Sequence, residues 1–174
     1  MSLRILLFIF LCLSILGCGS EDDYKNPIKI DPDALVNLTI IHSLRIPHHW
    51  IMIQIKQGEE GYMLLSDTMP LPYHGRFNKF HQETNVSIEN YAHLNELLSE
   101  IKWDEFTQED AIGLDGTSWT LKAIGKNEAK EATIWCPDED TERRGLGSFF
   151  SASKYLLDLG GIDYQSLTPK REKN

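Results

Sequence analysis

The chain has 174 residues, 41% of them apolar, and a formal net charge of −9. That length suits one domain with extensions and allows a sizeable single core, and the apolar content excludes a chain disordered throughout. The acidic balance repels phosphate backbones and no basic stripe offsets it, which argues against nucleic-acid binding and against electrostatic docking on anionic lipid.

Met1 to Arg4 carry one positive side chain beside the amino terminus, and Ile5 to Leu16 are apolar apart from Ser14. Such a run is long enough for an export signal and too short to span a bilayer comfortably. It ends at Ile15-Leu16-Gly17-Cys18, followed by the acidic cluster Glu21-Asp22-Asp23. This tetrapeptide looks like a lipobox, and the N-terminus therefore resembles that of bacterial lipoproteins. The resemblance implies cleavage before Cys18 and acylation of its thiol, with residues 1–17 as the signal peptide. One acyl chain anchors marginally, whereas the three typical of this family hold firmly. Gly19 in place of Asp implies outer-membrane sorting in a two-membrane cell, with the protein facing the periplasm or the surface. Residues 18–34 then form the lipidated cysteine and an acidic, proline-containing tether reaching about 20 Å. Losing residues 1–17 removes only Arg4 among the charges, leaving 16 basic against 26 acidic residues and a net −10. Of three cysteines, Cys12 leaves with the signal and Cys18 carries lipid, so Cys136 remains alone and no intramolecular disulfide forms.

The globular part is expected over 35–162. Val36, Leu38 and Ile40 alternate with polar residues, Ile51, Ile53 and Ile55 share one face, and YMLLS follows Gly58 and Gly61: a three-stranded meander. Pro70, Pro72 and Gly75 break the chain in an irregular stretch over 67–87, within which Phe77 to Val86 form a further strand. Ser87 is placed to cap a helix carrying Tyr91, Leu94, Leu97, Leu98 and Ile101 at helical spacing. SWTLKAI and KEATIWC read as a hairpin about Asn127, a symmetric register that sets Trp119 opposite Trp135. A last helix is expected from Thr141 or Glu142 to Leu159, its face made by Leu146, Phe149, Phe150, Leu156 and Leu157 and its end by Gly160-Gly161. Residues 163–174 read as a polar, frayed tail. The order ββββ-α-ββ-α predicts an α+β domain: an antiparallel sheet of five to six strands with two helices.

Gly113 to Leu121, Trp135 and Pro137, and Tyr155 to Gly161 resemble a family of uncharacterised bacterial proteins. That family is marked by L-D-G-[ST]-x-W, a strand ending W-x-P, and a helix ending L-x-L-x-G. The resemblance supports the fold and brings no activity; Lys122 and Thr133 depart from its pattern.

Four features bear on chemistry. His48 and His49 in PHHW are adjacent, so in extended chain they point to opposite faces and do not share a metal; no H-E-x-x-H or Cys/His spacing occurs. Asp115-Gly116 is a turn signal, and Asp115 with Trp119 would form a ligand subsite. Cys136 lacks an evident base and sits beside the acidic run Asp138, Glu139, Asp140 and Glu142, reading as a half-buried strand-end thiol. The sequons at Asn37 and Asn85 are coincidental in a bacterial lipoprotein. No catalytic residue, metal ligand or cofactor is assigned. The expectation is a membrane-anchored lipoprotein held through the acyl chains on Cys18, acting as a binding or interaction module. An envelope protein or polymer would be its partner, and Trp50, Asp115, Trp119 and the loop 67–76 its contact segments. Two alternatives stay open: a small envelope hydrolase using Asp115 and a histidine, and a periplasmic inhibitor or immunity-type protein whose acidity suits a basic target.

Overall fold

The computed structural model describes residues 30–43, 48–59, 61–70, 79–106, 115–125 and 128–169. Cys18, the signal peptide, most of the tether, Pro47, most of the loop 67–76, Gly113, Leu114 and Asn127 lie outside the described residues.

The described residues form β1 Ala34–His42, β2 Trp50–Gln57, β3 Tyr62–Met69, β4 Phe80–Val86, α1 Ile88–Ser99, β5 Thr117–Ile124, β6 Ala129–Trp135 and α2 Gly147–Leu159. A short hairpin, β7 Ile162–Asp163 with β8 Thr168–Pro169, ends the fold. Six strands make one antiparallel sheet in the order β4-β3-β2-β1-β5-β6. The expected α+β class and the order of its elements are as the sequence reading has them.

Alternation explains which face is covered. Leu38 opposes Ile53 on one side and Leu121 on the other; Ile40 opposes Ile51 and Trp119. All six are at most 1% exposed, and Phe149, Leu156 and Leu157 from α2 with Leu94 from α1 share their core cluster. Each such side chain contributes about 1.5–3 kcal/mol on burial. Alpha1 starts where Ser87 predicts it, with Ser87 Oγ accepting the Asn90 N–H at 3.2 Å. Tyr91 of α1 stacks on Tyr62 of β3, ring centroids 3.6 Å apart.

Four local expectations are corrected. Beta3 runs to Met69, taking 67–69 out of the irregular stretch, because Thr68 and Met69 are buried between paired neighbours. The β5–β6 register is one residue from symmetric about Asn127. Ile124 pairs with Ala129 across a four-residue loop, closed by the Gly125 N–H donating to the Glu128 carbonyl at 2.9 Å. Trp119 therefore opposes Ile134 on the covered face, and Trp135 opposes Ser118 on the other; a one-residue shift reverses every side chain of a strand. Alpha2 begins at Gly147, not near Thr141. Residues 141–145 form a turn instead, held by the Arg144 guanidinium, which donates to the carbonyls of Trp135 and Cys136, each at 2.7 Å, and of Glu139 at 3.0 Å. Gly145 takes a left-handed φ of 67° at the turn's exit. The β7–β8 hairpin also draws the start of the expected tail into the fold, since Ile162 and Leu167 belong to the core.

Candidate functional site

The covered face ends in a cavity of about 630 Å³. Its back wall is one row of the sheet. His42 closes β1 opposite Thr117 of β5, and the Thr117 carbonyl accepts the Cys136 N–H at 2.8 Å. By alternation His42 and Thr117 project to the helix side, past the point that α2 covers, and Cys136, one residue beyond β6, lines the same cavity. His42 is 3% and Cys136 7% exposed. Cys136 has a left-handed φ of 41°, which turns the chain out of β6, and its Sγ accepts the Thr117 N–H at 3.4 Å.

Asp115 stands exposed at the mouth, held by its neighbour. Ser43 Oγ accepts the Gly116 N–H at 2.8 Å and donates to the Gly116 carbonyl at 3.0 Å, and the Ser43 N–H donates to that carbonyl at 3.1 Å. Gly116 lies against the Trp135 indole and the Cys136 thiol, where any side chain would collide.

The floor comes from the β7–β8 turn. Asp163 Oδ2 accepts from the Ser166 N–H and hydroxyl at 2.9 and 2.6 Å, which shapes the turn and presents Tyr164. Tyr164 packs edge-on against Phe150 and Trp119, centroids 5.3 and 6.4 Å away. Burial, then the negative charge of Asp138, raise the Tyr164 pKa above that of a free tyrosine, so it stays a neutral phenol. Asp138 and Glu139 add two exposed carboxylates. Among the described residues neither they nor Asp115 form an ion pair, whereas Asp140 is held by Arg143. The cavity is thus a buried imidazole and thiol behind an acidic rim, suited to holding a positively charged group. No hydrogen bond joins Cys136 to an imidazole or carboxylate among the described residues, and no group of three metal-ligating side chains forms there.

Of the residues singled out from sequence, Asp115 and Cys136 line this cavity, Cys136 buried rather than half-buried. Trp119 sits directly behind it in the core, its Nε1–H donating to Thr117 Oγ1 at 2.9 Å. Trp50 does not join them: it pairs with Ile41 and Met69 on the opposite face. His48 is tied to Thr68 Oγ1 at 2.8 Å, and burial lowers its pKa, so it is a neutral structural imidazole. Tyr164 escaped the sequence reading, and His42 counted there only as one of six histidines. His42 was legible as the next inward position after Val36, Leu38 and Ile40; Tyr164 sits in a stretch without periodicity.

No family model matches the chain, and neither a curated protein nor a solved structure does. Among the described residues no helix is long and apolar enough to cross a membrane.

Proposed function

We propose that the chain is a bacterial envelope lipoprotein, cleaved before Cys18, acylated there, and carrying an α+β domain that acts as a binding module. One observation carries the binding assignment: Asp115, Asp138 and Glu139, which form no ion pair among the described residues, rim a cavity lined by His42, Thr117, Cys136 and Tyr164. It suits a basic side chain presented by an envelope partner, which includes a basic enzyme held in check. The test is a fluorescence titration of the full-length chain with an acetylated triarginine amide. Saturable binding is expected, with Asp138→Asn and Glu139→Gln each weakening it about two- to fivefold, as exposed ion pairs do. No saturable binding, or binding indifferent to both substitutions, removes the assignment. The anchor is tested separately by palmitate labelling of the wild type beside Cys18→Ser, with label expected in the wild type alone.

A hydrolase is the second reading, favoured because His42, Asp115 and Cys136 line one cavity. It requires hydrolysis of an activated ester that His42→Gln and Asp115→Asn abolish without lowering the melting temperature. The missing thiol–imidazole contact ranks it below binding.

A further inference from the structure

The chain between β6 and α2 supplies two of the rim carboxylates, Asp138 and Glu139. Its sequence, PDEDTERRG from Pro137 to Gly145, has four acidic and two basic side chains. The two arginines are used differently. Arg143 is exposed and pairs with Asp140. Arg144 is half-buried. Its Nη2 donates to the Trp135 carbonyl at 2.7 Å, and its Nη1 to the carbonyls of Cys136 and Glu139 at 2.7 and 3.0 Å.

Those acceptors lie on both sides of Asp138. The Cys136 carbonyl also accepts the Glu139 N–H at 3.0 Å, which closes a β-turn with Pro137 and Asp138 as its central residues. Proline suits the first of these because its φ is already set. Thr141 Oγ1 donates to the Pro137 carbonyl at 2.9 Å, and the Arg144 N–H to the Asp140 carbonyl at 3.0 Å. One guanidinium therefore ties the end of β6 to the far side of the turn. Its planar fork offers several donors at fixed angles, which an ammonium does not. These three bonds go to carbonyls and none to a carboxylate, so the cation organises the turn while Asp138 and Glu139 form no ion pair among the described residues. Asp115 is held separately, through Gly116 and Ser43.

We propose that Arg144 is a positioning residue of the acidic cavity, its fork fixing Asp138 and Glu139 where they meet a bound cation; this rests on the reading of the cavity as a site for a basic side chain. Charge alone predicts the opposite sign. Removing a positive charge beside an acidic cavity should tighten the binding of a cation, whereas removing the clamp should weaken it, because the carboxylates are no longer preorganised.

The test titrates the acetylated triarginine amide into full-length Arg144→Met, with Arg143→Met as the control for charge, at a temperature where circular dichroism shows each variant folded. Arg144→Met should weaken binding at least about threefold, as the loss of one or two exposed ion pairs does. Arg143→Met should leave it unchanged or tighter. Arg144→Lys keeps the charge and loses the fork, so it should weaken binding as well, and it serves where Arg144→Met does not fold. In either Arg144 variant Glu139→Gln should have less than half its wild-type effect on affinity, while Asp115→Asn keeps its full effect. A general loosening of the domain would not sort the carboxylates in that way. If the wild type binds saturably, three results each overturn the positioning role and leave the cavity reading standing: undiminished binding by Arg144→Met, wild-type affinity in Arg144→Lys, or an equal effect of Glu139→Gln in both backgrounds. No saturable binding by the wild type overturns both.

Discussion

Gly116→Ala tests how the cavity mouth is built. A β-carbon added there would lie 2.4 Å from Trp135 Cζ2, 2.7 Å from Trp135 Cε2 and 2.7 Å from Cys136 Sγ, against about 3.5–4.0 Å for an unstrained contact. Neither backbone yields easily. Gly116 is fastened through its N–H and carbonyl to Ser43, and the Trp135 carbonyl is fastened to Arg144. The half-buried indole must rotate, and overpacking of this degree costs about 2–3 kcal/mol. For a chain of this size that lowers the melting temperature by about 4–12 °C. The assay is thermal unfolding followed by circular dichroism, with Gly147→Ala as control. Gly147 opens α2 with nothing within 4 Å of an added β-carbon, and its replacement should be neutral or stabilising by up to about 1 kcal/mol. In a Trp135→Leu background the clash with the indole is gone and that with Cys136 Sγ remains, so Gly116→Ala should cost less. An unchanged melting temperature for Gly116→Ala, or an equal loss in both backgrounds, refutes the steric account.

Ser66 is fully buried in β3 and its Oγ has no hydrogen-bond partner among the described residues, so Ser66→Ala should leave stability unchanged or raise it by about 1 kcal/mol in urea unfolding. Ser87→Ala removes the cap of α1 and should lower stability by about 1 kcal/mol by the same assay. The His81 pKa is raised above 6.5, first by its hydrogen bond to Asp67, against a smaller opposing effect of burial, then by the charges of Asp67 and Glu83. A raised value means that protonated His81 stabilises the fold below the unfolded pKa and loses that effect as pH climbs through the folded one. His81→Gln should therefore lower the melting temperature slightly at about pH 5 and not at about pH 8, a small difference because the imidazole is 57% exposed.

What the sequence disclosed follows the range of its signals. The meander and α1 were legible because alternation at Val36, Leu38 and Ile40 and the Ser87 cap act over a few residues. The β5–β6 register was not, because hydrophobic pattern tolerates Trp119 opposite either Trp135 or Ile134; the even length of the connection decides. Thr141 and Glu142 look like a helix start, and only the long reach of Arg144 to three carbonyls shows why the helix waits until Gly147. The cavity was least legible. Asp115 was visible through its turn, but His42, Cys136 and Tyr164 come from three other segments that only the sheet brings together.

The pleat decides which side chains reach the acidic cavity. At the end of the sheet, each of three adjacent strands contributes a pair of consecutive residues: Ile41 and His42, Thr117 and Ser118, Trp135 and Cys136. One member of each pair goes to the acidic cavity and the other to the open face, because successive side chains point to opposite sides. The acidic cavity is completed by the turn that carries Asp138 and Glu139 and by the β7–β8 hairpin. Gly116 and Trp135 touch across the end of β5 and β6, so a side chain forced in at Gly116 pushes the indole on the open face while disturbing Cys136 on the covered one.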